Sequence, residues 1–227
     1  MTAARLDLYT PIHKALRLFM TDTLQRVGQL DIEDATEFAA TTEQLQTLLG
    51  QCRAHLAHEN QFVHAALEAR RPGASARIAG EHDEHLEIIA ALQAELAALR
   101  ALPCGLGALR LYRHLALFVA DNFEHMHHEE TEANAELWAF YSDAELHDVQ
   151  QRLLASIAPA EMAATVRWLL PAMSPAERAA MLMPMQQQMP PEAMRGLLAI
   201  ARPQLGPQGW DKLARALGMH AVEADVA

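Results

Sequence analysis

At 227 residues, with 51% hydrophobic content and a net charge of −11, the chain holds enough apolar material for one large or two small cores. The acidic balance excludes a nucleic-acid binder and a protein held to an anionic membrane by charge. No stretch approaches the roughly 20 apolar residues of a membrane span. Ala, Leu, Met, Glu, Gln and Arg dominate over β-branched and aromatic residues, a mix that favours helix. The N-terminus lacks a basic region followed by a long apolar run, so no secretory leader is expected. Cys52 and Cys104 form no CxxC; they fit a reducing compartment and are expected to pack as small apolar groups, and the chain is read as cytoplasmic.

Four long amphipathic helices are predicted first. Helix 1 runs over about Leu6 to Val27, with Leu6, Tyr9, His13, Leu16, Met20 and Leu24 in one stripe. Helix 2 runs over about Asp34 to Ala69, with Leu45, Leu48, Cys52, His55, Glu59, Phe62 and Ala66 on one face, and Arg71-Pro72-Gly73 ends it. Helix 3 covers about Ala74 to Ala101, with Ile78, His82, His85, Ile89, Leu92, Leu96 and Leu99 in register; Pro103-Cys104-Gly105 breaks it. Helix 4 covers about Leu106 to Phe140, with Leu111, Leu115, Phe118, Asn122, His125, Glu129 and Glu132 on one side. Short breaks between long helices imply antiparallel neighbours, so helices 2 and 4 run the same way.

The last third keeps a different beat. Pro159, Pro175, Pro191 and Pro207 recur every 16 residues, with Asp143 at the same phase one unit earlier. Proline is favoured at a first helical position, and Ser142…Glu145 and Ser174…Glu177 have capping-box spacing. Tyr141, Ile157, Met173, Met189 and Leu205 before the marks, and Leu146, Met162, Met194 and Trp210 after them, have hydrophobic-staple spacing, with Arg178 the exception. Five short helices of about 11–13 residues, joined by tight turns, are predicted. The fold class is therefore all-α: an up-down-up-down four-helix bundle over 1–141 and a helical extension with a 16-residue repeat over 142–227.

The chemistry lies in the bundle stripes. His55-Leu-Ala-His-Glu59 and His125-Met-His-His-Glu129 each place a His and a Glu four residues apart, one helical turn, so the two side chains share a face. His13, His82 and His85 lie in stripes of the other two helices. Buried His and Glu without partners would cost several kcal/mol, and a metal answers all of them at once. His13, His55, His82, His85 and His125 are read as nitrogen ligands, with Glu59 and Glu129 bridging two ions. Such mixed donors suit iron, zinc or manganese. A ferritin-like site needs Glu-x-x-His on two helices; only Glu124…His127 has that spacing, and it lies off the ligand face. The Met181, Met183, Met185 and Met189 cluster is read as a soft packing face that also offers itself to a protein partner. His58, Glu130 and His128 neighbour the ligands, whereas His64, His114, His127 and His147 are expected to face solvent.

The pattern resembles the hemerythrin-like (HHE cation-binding) family over about residues 6–140. It does so through Asp7-Leu-Tyr-Thr-Pro-Ile-His13, His55xxxGlu59, Glu81-His82-Asp-Glu-His85 and His125xxxGlu129-Glu130, one motif per helix in order. The resemblance implies a non-haem di-iron centre. His13 and His55 would hold one iron and His82, His85 and His125 the other. Glu59 and Glu129 would bridge, and an open position would take O2 or another small ligand. The helix-3 histidines are three apart where oxygen-carrying members space them by four, and Glu81 offers a substitute donor there. The implied function is binding or sensing of O2 or a related small ligand. The rivals are a stress role (peroxide or nitric oxide turnover, iron donation for cluster repair) and a metal-stabilised scaffold whose C-terminal helices bind a partner. The repair relatives usually carry a Cys-containing N-terminal segment, which does not precede helix 1 here.

Overall fold

The computed structural model describes residues 5–219; the outer ends of both expected domains, 1–4 and 220–227, lie outside the described residues. Among the described residues the chain is all-helical, with eight helices and no strand. In chain order these are α1 (Thr10–Gln29), α2 (35–70), α3 (Ala76–Ala101), α4 (105–140), α5 (Asp143–Ser156), α6 (Pro159–Ala172), α7 (Pro175–Gln188) and α8 (Pro191–Ala216). None of them is long and apolar enough to cross a membrane. Two compact units result, 5–13 with 19–156 and 14–18 with 157–219.

Helix α1 begins at Thr10, four residues later than its apolar stripe predicts. The cause is Asp7, whose Oδ1 accepts hydrogen bonds from the Tyr9 and Thr10 amides at 2.9 and 3.0 Å, with Pro11 in the first turn behind it. Asp34 caps α2 through the Thr36 and Glu37 amides. Leu45, Leu48 and Cys52 of α2, Ile89, Leu92 and Leu96 of α3, and Leu111, Leu115 and Phe118 of α4 are buried along their predicted stripes, and Leu49 of α2 is buried beside them. Tyr9, Val63, Leu67, Ile78, Ala133 and Leu137 share one apolar cluster with Leu146 and Val149 of α5. The start of α1, the end of α2, the start of α3 and the end of α4 thus lie at one level, as alternating helix directions require.

Two features depart from straight helices. In α2 a π turn over Glu59–His64 joins Ala35–His58 to Ala65–Arg70, and in α4 a π turn over Glu129–Ala133 joins Gly105–His128 to Asn134–Phe140. Each begins at the glutamate of a His-x-x-x-Glu pair. A π turn bonds i to i+5 and absorbs one extra residue. A residue five beyond the glutamate, about 140° away on a regular α-helix, therefore swings back to about 40°.

In the second unit, α6, α7 and α8 open with Pro159, Pro175 and Pro191 in their first turns. Ser174 and Glu177 form the expected capping box. In the first unit, α5 begins at Asp143, where Ser142 and Glu145 exchange the same bonds. The first three of the predicted short helices are 14 residues each, and the last two run together as α8. The junction is still marked: Gly206, just before Pro207, has φ 63° and ψ 170° and kinks the helix. Val166, Leu170, Met173, Leu182, Met194, Leu198, Trp210 and Leu213 form this unit's core, with Met181, Met185 and Met189 packed on it and Met183 exposed. Arg178, the exception to the staple pattern, is buried and donates from Nε to the Met173 carbonyl at 3.1 Å, closing the end of α6. Cys52 is buried, and burial pushes its thiol up to about 12. Cys104 is exposed, contrary to the expectation that it packs, because it lies in the turn ahead of α4 and outside any apolar stripe.

Two glycine substitutions in α8 are expected to act in opposite directions in urea unfolding. Gly206→Ala forces a side chain into a region that only glycine adopts easily and should destabilise by about 1–3 kcal/mol. Gly196→Ala, in regular helix with open space at its Cβ, should stabilise by about 0.4–1 kcal/mol.

Candidate metal centre

The π turns and the helix directions bring six side chains to one point in the first unit. His13, Glu59, His82, His125 and Glu129 are buried, and the His55 side chain is 12% exposed. Their donor atoms fall into two groups, His13–His55–Glu59–Glu129 and Glu59–His82–His125–Glu129, each with all atoms within 4.8 Å of one another. In the first, His13 Nε2 stands 3.5 Å from Glu59 Oε1 and 3.3 Å from Glu129 Oε2, and His55 Nε2 stands 3.2 Å from Glu59 Oε2. In the second, His82 Nε2 is 3.5 Å from Glu129 Oε1 and 3.7 Å from Glu59 Oε2, His125 Nε2 is 3.3 Å from Glu129 Oε2, and the two Nε2 atoms are 3.1 Å apart. Donors bound about 2.1 Å from one ion stand about 3–3.5 Å from each other, and most of these separations lie in that range.

The outer nitrogens set the direction of the inner ones. His13 Nδ1 donates to Glu130 Oε1 at 3.2 Å, His82 Nδ1 to Asn60 Oδ1 at 2.8 Å, and His125 Nδ1 to Glu81 Oε2 at 2.7 Å. A neutral imidazole with its proton on Nδ1 presents a lone pair at Nε2. The lone pairs of His82 and His125 then face each other beside two carboxylates, an arrangement that only positive charge relieves. His13 Nε2, His55 Nε2, Glu59 Oε2 and both Glu129 oxygens are buried with no hydrogen-bond partner. Buried polar atoms are rarely left unpaired, so the set fits a cation in each half.

The ionisation balance points the same way. Burial opposes charge on His13, but Glu129, Glu130 and Glu59 around it hold its pKa well above the imidazole norm. His125 is also raised against its burial, by Glu129 and Glu81. Burial, then the nearby charge of His13, pushes His55 well below the norm. Burial and the neighbouring Glu129 charge raise Glu59; Glu129, buried too, is held well below the carboxylate range by His125, His13 and His82. Without metal, protons on imidazole do part of the neutralising that ions would do.

Of the seven sequence-predicted ligands, His85 joins neither group. Three residues after His82 it is about 60° round the helix; its Nε2 bonds Asp121 Oδ2 at 2.8 Å and its ring meets His125 edge-on at 4.8 Å. Glu130 and Glu81 contact ligand candidates directly, as hydrogen-bond acceptors for His13 and His125. His128 turns to Arg77, which also pairs with Glu81 and Glu132. Glu124 and His127 are exposed, off the ligand face as expected. His64 is the correction: expected in solvent, it is buried and stacked on His82 at 4.7 Å. It lies five residues beyond Glu59, and the π turn carries it onto the inner face. Asn134 stands in the same relation to Glu129 and is fully buried; its Nδ2 donates to Asp7 Oδ1 at 2.8 Å, tying α4 to the cap that starts α1 and so positioning His13. Neither residue is on a stripe of α-helical period, so periodicity alone could not find them.

Comparison with the curated proteins and with solved structures returns no match. The model of the hemerythrin HHE cation-binding domain matches residues 5–137, more than half of the chain and all six converging donors. With a buried His/Glu cluster fit for a binuclear metal site inside the matched helices, the chain belongs to the hemerythrin HHE cation-binding family.

Proposed function

We propose that the chain is a non-haem di-iron protein that binds or senses O2 or a related small ligand at its bundle centre. The observation that carries this is the pair of four-donor groups sharing Glu59 and Glu129. His13 and His55 would hold one ion, His82 and His125 the other, and the two glutamates would bridge. Two nitrogens and two carboxylate oxygens suit iron and leave part of a six-coordinate sphere open. Bound iron would supply that open coordination and a redox couple. The protein's own residues do the rest. Glu130, Asn60 and Glu81 hold three imidazoles in the tautomer and orientation that aims Nε2 inward. Ile89, Leu115 and Phe118 on one side and Val63, Ile78 and Leu137 on the other are apolar layers that restrict water. His13 and His125, whose pKa values are raised by the carboxylates, give up protons when a cation takes their place.

Metal analysis with a visible spectrum, on protein reduced without air and then oxygenated, tests this reading. About two irons per chain are expected, with a band that appears on oxygenation and fades under vacuum; zinc alone, or no metal, would overturn it. Glu59→Gln and Glu129→Gln should each lose the paired centre, whereas Glu124→Gln should keep full metal content. Equal loss in all three would mean that the wrong helix face is assigned.

Metal uptake should also depend on pH in one direction. Neutral imidazoles and ionised carboxylates are the binding forms, so protons compete with metal and affinity rises with pH. Because His13 and His125 have raised pKa values without metal, loading near pH 7 should release protons into unbuffered solution, readable on a pH-stat. Metal content should fall as pH drops toward about 4.3, the ordinary glutamate value; content that stays constant down to about pH 4 would contradict the ligand set.

A further inference from the structure

Beyond the six donors, the Tyr9 hydroxyl and His64 Nε2 are buried beside the centre with no partner, as are His85 Nδ1 and Asn134 Oδ1. Tyr9 is fully buried and His64 is 4% exposed. They lie at the same level. Tyr9 is one turn before His13 in α1, and His64 follows Glu59 in the antiparallel α2, so both stand on the side of the centre that faces α5. Each touches one half of it. The Tyr9 ring lies 5.5 Å from the His13 ring, and the His64 ring stacks on His82 at 4.7 Å and 22°.

Each group can donate a hydrogen, Tyr9 from its phenol and His64 when its proton sits on Nε2. A phenol, with an ordinary pKa of about 10, remains O–H at neutral pH. A neutral His64 carries one N–H. The apolar neighbours of Tyr9 in this layer, Val63, Ala66, Leu67, Ile78, Ala133 and Leu137, carry no polar side-chain atom. A buried donor without an acceptor is costly, and two that flank the same centre call for an acceptor between them.

We propose that Tyr9 and His64 form the hydrogen-bonding wall that receives the small ligand of the binuclear centre. The inference rests on the di-iron reading above and names the ligand class: a compact acceptor, an anion or a diatomic that gains negative charge on binding. An apolar diatomic of the same size would gain nothing from this wall. His64 reaches its place only through the π turn, so the widened helix supplies a bridging glutamate and a ligand contact from one segment.

The test uses full-length protein loaded with iron(III) and titrated with azide, followed by its visible charge-transfer band, with iron per chain measured in parallel. His64→Leu should weaken azide about tenfold, the loss of one hydrogen bond to a charged acceptor, with iron content unchanged. His64→Gln, which restores a donor, should recover most of the affinity. Tyr9→Phe should weaken azide by several-fold, again without iron loss. Azide affinity within twofold of wild type in both His64→Leu and Tyr9→Phe, at full iron content, would overturn the wall alone. Loss of iron in His64→Leu would overturn it too, by making His64 a metal ligand or a prop. Failure of the wild type to take up two irons would overturn both this assignment and the di-iron reading.

Discussion

Two glutamates buried at the middle of a helical bundle are the constraint from which the rest follows. A carboxylate removed from water costs several kcal/mol unless charge or hydrogen bonds replace its hydration. Here the side chains that surround Glu59 and Glu129 are imidazoles, one or two from each of four helices. Three of them are turned by Glu130, Asn60 and Glu81 so that each directs Nε2 at the pair. The result is a cluster of negative and lone-pair character, balanced by protons or by cations. Asp7 belongs to the same design: it starts α1 where Thr10 stands and takes a hydrogen bond from Asn134, which fixes His13 in register with α4.

The two π turns are the local device that makes this convergence possible. A regular helix can aim a His and the Glu four residues later at one point, but the next inward-facing residue then comes at intervals set by the α period. Widening one turn at Glu59 and another at Glu129 brings His64 and Asn134 inward as well. A π turn is a rare geometry, frequent at functional sites, and its occurrence at equivalent positions of α2 and α4 gives the centre its approximate two-fold character. The pattern also separates roles: α1 and α3 contribute imidazoles from regular helix, whereas the carboxylates come only from the interrupted helices.

The second unit is organised by other physics. α6 and α7 are short and α8 is kinked at Gly206, and each of the three is marked at its start by a proline that has no amide to leave unsatisfied. Leucines dominate its buried interior, methionines pack around them, and β-branched residues are few. Arg178 stands where the other repeats place an apolar residue, and its guanidinium serves the exposed carbonyl end of α6. A break in a repeat here is a cap for the neighbouring helix.

The sequence by itself determined the helices, their order, the four-ligand motifs and the family resemblance, because these depend on period, caps and spacing along one chain. The proline beat located every helix start from Pro159 to Pro191, and the kink at Gly206, for the same reason. The tertiary structure decided what needs distances between helices: that His85 turns to Asp121 and stands apart from both donor groups, that Glu81 orients His125, and that Cys104 is exposed. It also decided the fate of His64, which an α period sends to solvent. A π turn depends on what the surrounding helices demand of one backbone segment, and it leaves no mark in a hydrophobic stripe.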